Sequence, residues 1–268
     1  MNQLIFSGKE EIPTAKIARS RAPVFVIVFD EFSTVSLLNR DLQIDENLYQ
    51  NVARLAADSY WFRNATTVSL ETTKAVSAIV SGTLPKPDTV PTVSNYPINL
   101  FSLFSRSHEA VGFETVTELC PETICRSPLN FRVGALVSDL CVLFTHMVAP
   151  DSYRKRLSSV PDRWTGFLNP GRDSQKYLLG PHRARYFQDF QELIPNKTGA
   201  SLRCIHILLP HVPYQYLPDG RLYSVDSYLP NWGDDEVLAA QAYQRYLLQV
   251  GFTDRILGQF LERLQEIV

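Results

Sequence analysis

The sequence lacks an excess of either charge. Its 26 Lys and Arg stand against 28 Asp and Glu, a formal net charge of -2. There is no basic surplus to gather nucleic acid and no acidic tail. Long apolar runs are also missing. The most apolar helical stretch, VGALVSDLCVLFTHMVAP, carries Asp139 and His146 and is too short and too polar to span a bilayer. The N-terminus, MNQLIFSGKEEIPTAKIARSRAP, has no apolar core and turns acidic early, so it does not read as a secretory signal. Internal repeats and low-complexity tracts are absent. Cysteine is scarce, with four residues that permit several pairings. Cys120 and Cys125 sit in the tight loop LCPETIC, close enough in sequence for a disulfide, and two free thiols are an equal alternative.

What is present is the material of a folded core. The 268 residues are 45% hydrophobic and include three Trp, twelve Tyr and fifteen Phe, which excludes a disordered chain. Residues 24–29, VFVIVF, form a β-branched and aromatic run that suits a strand buried on both faces, and it stops abruptly at Asp30 and Glu31. Leu48, Val52 and Leu55 then recur at helical spacing. Further strands are expected near 111–116 and at 205–209, with His211 just past the end of the latter. From Glu236 onward an amphipathic helix is expected, broken near Gly251, with Leu247, Val250, Ile256, Leu257, Phe260, Leu261 and Leu264 as its apolar positions. Residues 126–200 read as a loop-rich excursion over one side of the sheet. Strands alternating with helices make an α/β fold with a mostly parallel sheet, in which ligands gather at the carboxyl ends of the strands.

Two polar clusters fall at those ends. Asp30, partly desolvated, calls for a cation, a proton or backbone donors, or else caps the following turn. Glu31 reads as a supporting or solvent-facing residue. His211 lies between prolines that stiffen its loop, and a structural bond to a carbonyl is the plainer use for it. His108 and His146 make weaker candidates, and His206, inside a strand, reads as a satisfied core residue. The stretch SLETTKAVSAIVSG, residues 69–82, poses the sharpest alternative. Thr72 and Thr73 suit the cap and first position of a helix, with Glu71 favouring its dipole. A hydroxyl there also faces free N–H groups that bind a sulfate or phosphate, and a cation held by Asp30 would make Thr a usable nucleophile. Lys74 either adds positive charge to the transferred group or is simply solvated.

Taken together, VIVFDEF, LAADSYWFRNATTVSLETTKAVSAIVSG, ELCPETIC and LLPHVPYQYLPDGRLY resemble sulfatase-like members of the alkaline phosphatase superfamily, and more narrowly the bacterial membrane-anchored type. The resemblance runs from about residue 23 to the end. It implies an alkaline-phosphatase-like sheet flanked by helices, with residues 1–22 as an extension or linker and 23–268 as the domain. It places Asp30 as a ligand of one divalent metal ion (Ca, Mg, Mn or Zn), Thr72 as nucleophile and a second metal ligand, and His211 on the transferred group. Lys74 assists there, with Glu31 and Thr73 in support. It favours a Cys120–Cys125 disulfide and the extracytoplasmic face of a membrane.

Two departures shape the expectation. Where sulfatases carry the Cys or Ser that becomes formylglycine, this chain has Thr72, Thr73, Lys74, Ala75 and Val76. That stretch resembles the phosphoethanolamine and lipoteichoic-acid transferases instead, which pass through a phosphothreonine. The strand with the family's Asp-His or Asp-Asn metal pair is not found before Val268, so the domain is expected to be incomplete at its C-terminus and prone to self-association. If further ligands are needed, Glu31, Asp219 and His206 come first. The expected activity is metal-dependent hydrolysis or transfer of a sulfate or phosphate ester on a small-molecule, glycan or lipid substrate. The alternative is a non-catalytic remnant or binding module of the same fold.

Overall fold

The computed structural model describes residues 22–121, 123–124, 144, 183–196, 199–222 and 235–267. Its elements run β1 (Val24–Asp30), a 3-10 turn (Thr34–Leu37), α1 (Gln50–Ala57), α2 (Thr72–Ser81), α3 (Leu100–Phe104), β2 (Glu109–Phe113), α4 (Arg183–Glu192), β3 (Ser201–Pro210) and α5 (Glu236–Ile267). The three described strands form a parallel sheet in the order β1-β3-β2. The chain is therefore an α/β protein.

Burial follows from that order. β3 is central and all ten of its residues are buried. The apolar run of β1 suggests the same, yet every residue of β1 is only half-buried. Among the described residues β1 pairs with β3 alone and lies at the edge of the sheet. The run is apolar because both of its faces are covered. Phe25, Ile27 and Phe29 pack with β3, α4 and α5 around Phe187, Phe190, Ile205, Ile207, Phe252, Ile256 and Phe260. Val24, Val26 and Val28 face the opposite layer, where α2 and α3 bring Val76, Val80 and Phe101 onto Leu202 and Cys204.

Of the helices between β1 and β2, α2 and α3 thus lie on one face, α4 between β2 and β3 lies on the other, and α1 packs against α5. Such a reversal opens a crevice at the carboxyl edge of a parallel sheet. That edge is where β1 ends in Asp30 and β3 ends beside His211.

Two expectations about helices need correction. α5 is not broken near Gly251 but runs unbroken for 32 residues. Gly251 serves close packing, since a Cβ there would sit 3.3 Å from Pro218 Cγ. Leu48 and Leu55 recur at helical spacing but are exposed, and only Val52 of α1 is buried. What anchors α1 is polar. The Asp254 carboxylate, buried on α5, accepts Val52 N–H at 2.8 Å, Asn51 N–H at 3.4 Å and Asn51 Nδ2 at 2.9 Å. Those backbone donors are orphans at the start of α1, and a neighbouring helix satisfies them in place of a local cap. Of the excursion over 126–200, the described part, α4, does cover one face of the sheet. Most of its remainder, His146 included, lies outside the described residues, as do Cys125 and nearly all of the 1–22 extension.

Replacing Asp254 with Ala leaves those donors buried without an acceptor. Chemical denaturation is expected to show a loss of about 2 kcal/mol, with Asp254→Asn recovering part of it.

Candidate active site at the strand ends

Thr72 is the first residue of its helix and does not cap it. The helix begins at Thr72, with Glu71 in the N-cap position and no side chain capping it. Backbone geometry starts the helix instead, through Glu71 O accepting Lys74 N–H at 3.0 Å and Ala75 N–H at 2.9 Å. Gly82 ends it in the left-handed conformation (φ 66°) that glycine adopts without strain. The Thr72 hydroxyl is thereby left unused by its own helix. It turns to Asp30, with Oγ1 3.4 Å from Oδ1 and 3.5 Å from Oδ2.

Asp30 is held where a charge is costly. Burial pushes its carboxyl above the usual carboxylate value; His211 pulls it down and Glu31 pushes it up again. It does not cap the following 3-10 turn, whose N-cap is Ser33. Glu31 adopts φ 61°, a left-handed conformation that costs a non-glycine residue about 1 kcal/mol or more. Its carbonyl is held there by the Tyr246 hydroxyl, which donates at 2.7 Å and also accepts Ser33 N–H at 3.3 Å. This kink throws the Glu31 carboxylate toward His211, whose Nε2 lies 3.4 Å from Glu31 Oε1.

His211 is fixed from the other side. Its Nδ1 lies 2.5 Å from Val212 O, which directs Nε2 outward. The backbone of its loop is clamped by two helices. Arg183, at the start of α4 and almost wholly buried, donates to Leu208 O at 2.7 Å, to His211 O at 2.5 Å and to Pro213 O. Gln249 of α5 donates through Nε2 to Pro210 O and His211 O, both at 2.9 Å, and accepts Gln215 N–H at 2.8 Å through Oε1. Burial lowers the Arg183 guanidinium to about 10, so it remains charged at neutral pH and places a fixed positive charge behind the loop.

The structure therefore brings Asp30, Glu31, Thr72 and His211 to one edge. Lys74 is not directed there: its ammonium pairs with Glu71 Oε1 at 2.8 Å, partly exposed. Thr73 contributes its carbonyl to Ser77 Oγ at 2.7 Å. Asp219 is engaged with Arg221 at 2.6 Å on the surface. His108 is satisfied by Ser107 at 2.8 Å and Ala22 O at 3.2 Å. Cys120 is buried, and the expected bridge to Cys125 reaches outside the described residues. Tyr246, Gln249 and Arg183 were not singled out from the sequence. The signal for the first two was there, since polar residues three apart interrupt the apolar face of α5.

A divalent ion fits part of this arrangement. Two oxygens bound at right angles to one ion, with bonds of about 2.1 to 2.4 Å, stand about 3.0 to 3.4 Å apart, close to the Thr72–Asp30 separation. Both donors are hard oxygens, which suit Mg, Ca, Mn or Zn. Among the described residues no group of three or more His, Cys, Asp or Glu is placed to complete the set.

Acid stability carries the signature of a second buried group. Burial, with a smaller contribution from His211, lowers His206 to about 4 from an ordinary 6.5. The unfolded chain then binds this proton first. The stability owed to neutral His206 is full above pH 6.5 and is lost as pH falls toward 4, by roughly 3 kcal/mol. Asp30, shifted upward, works in the opposite sense. Comparing wild type with His206→Asn across that window isolates the histidine: the variant is expected to lose less stability on acidification.

Comparison of the chain with known protein families, curated proteins and solved structures returned no match.

Proposed function

We propose that the chain carries out metal-dependent transfer or hydrolysis of a phosphate or sulfate ester, with Thr72 as nucleophile. The observation that supports this best is the Thr72 hydroxyl, free of any capping duty and facing a desolvated carboxylate. Asp30 and Thr72 Oγ1 would hold one divalent ion. When bound, such an ion lowers the pKa of a coordinated hydroxyl and offsets the charge of the ester.

The chain's own groups supply the rest. Free N–H groups at the start of α2 favour an anion beside Thr72. Thr72 Oγ1 forms the new bond to phosphorus or sulfur as the ester oxygen leaves, and Asp30 is the acceptor within reach of its proton. The outward Nε2 of His211, steadied by Glu31, steadies an oxygen of the transferred group. Water or an acceptor alcohol then takes that group from Thr72 and restores the hydroxyl. Lys74, paired with Glu71, contributes only if it exchanges that partner for the substrate.

On the same footing we assign the chain to the sulfatase-like branch of the alkaline phosphatase superfamily, of the bacterial membrane-anchored type, acting at the extracytoplasmic face with a Cys120–Cys125 disulfide. No helix among the described residues is long and apolar enough to cross a membrane. The substrate would be a small-molecule, glycan or lipid ester, and the side of β1 left unpaired among the described residues would be a route to self-association. A second reading, a binding module without turnover, is favoured by the absence, among the described residues, of a group of three or more His, Cys, Asp or Glu around a metal.

An aryl phosphate and an aryl sulfate, assayed with each divalent metal, separate these readings. Turnover is expected to fall by about a thousandfold or more in Thr72→Ala and to persist in Thr73→Ala, since removing a covalent nucleophile removes the step itself. Loss in Thr73→Ala with activity retained in Thr72→Ala moves the nucleophile by one residue and contradicts the assignment. Metal binding with no turnover in wild type supports the binding module.

A further inference from the structure

His206 lies in the middle of β3 with 3% of its surface exposed. The sequence suggests a satisfied core residue there. The structure differs: Nδ1 makes a short hydrogen bond with Thr115 Oγ1, and Nε2 has no hydrogen-bond partner among the described residues. A buried polar atom left alone forfeits the solvation it had in water, so the position is a costly one for packing alone.

Its place in the sheet gives the nitrogen a purpose. Side chains alternate along a strand. Val24, Val26 and Val28 of β1, with Leu202 and Cys204 of β3, face the layer of α2 and α3. Two residues further along, that face carries Asp30 on β1 and His206 on β3. His206 pairs in register with Val28, two residues before Asp30; the register then shifts between Phe29 and Asp30, which stands opposite Pro210, so His206 lies beneath the strand ends on the neighbouring strand. The helix above this face is α2, and its first residue is Thr72. His211 is close enough that its positive charge opposes protonation of His206.

We propose that His206, fixed by Thr115, is a further binding residue of this site, its Nε2–H donating to an oxygen of the bound phosphate or sulfate ester. The inference rests on the function proposed above. With the Thr115 hydroxyl donating to Nδ1, the ring's single proton stays on Nε2. Burial keeps the ring neutral at physiological pH. The donor therefore serves the anion without repelling the cation at Asp30.

The test is the nitrogen NMR spectrum of the histidine rings in the full chain, with magnesium present and inorganic phosphate as probe. His206 is expected as the Nε2–H tautomer, and phosphate is expected to shift its Nε2 together with the signals of Thr72 and His211. His206→Asn, which keeps an amide within reach of Thr115, is expected to bind phosphate about tenfold more weakly, and His206→Gln to recover much of the loss. An Nδ1–H tautomer overturns this inference alone. So does a phosphate titration that moves Thr72 and His211 and leaves His206 unmoved. Silence at all three residues overturns the proposed function and this inference with it.

Discussion

A carboxylate at the end of a strand, with too little water around it, is the constraint on which the rest of this structure turns. Asp30 closes an apolar run whose two faces are covered by different helical layers. Its charge is disfavoured by that burial, and the adjacent Glu31 makes matters worse. A fold that wanted only a strand terminator would place a neutral or solvated residue there. Keeping an acid at this point makes physical sense when something positive, or something with a proton to give, is brought to it.

The surroundings of Asp30 hold the main chain at the sheet edge in place. Three side chains from two helices hold main-chain carbonyls around the edge: Tyr246 on Glu31, and Arg183 with Gln249 on the loop of His211. Carbonyl clamps of this kind fix backbone direction without adding groups to the site itself. They leave the Glu31 carboxylate, the His211 ring and the Thr72 hydroxyl as the polar ends that face one another. The left-handed backbone at Glu31 is consistent with this picture, since such strain persists only where the surroundings over-determine it.

Much of this was legible in the sequence, for identifiable reasons. A continuous β-branched run ending in Asp30 and a second ending before His211 marked the strands and their polar ends, because apolar runs and their terminators are local signals. The long helix was legible too, though Gly251 suggested a break. Its role is to let Pro218 approach, and a tertiary contact leaves no local trace. The run of β1 suited a strand buried on both faces, yet β1 is half-buried and β3 is the fully buried one, because strand order is a long-range property. Thr72 was ambiguous for the same reason: a cap and a hydroxyl turned toward a carboxylate share one sequence pattern, and the contact with Asp30, 42 residues away, is long-range. Arg183 was invisible, since a buried guanidinium bound to carbonyls has no sequence pattern of its own.

The central claim is that the Asp30 carboxylate is destabilising by itself and is relieved by a cation shared with Thr72. Thermal unfolding of metal-free protein, with and without added magnesium, calcium, manganese or zinc, tests it most directly when wild type is compared with Asp30→Asn. The account predicts that the variant melts higher than wild type without metal, and that at least one of these ions raises the wild-type transition and leaves the variant's unchanged. A variant that melts lower without metal, or that gains as much from the ion as wild type does, contradicts it.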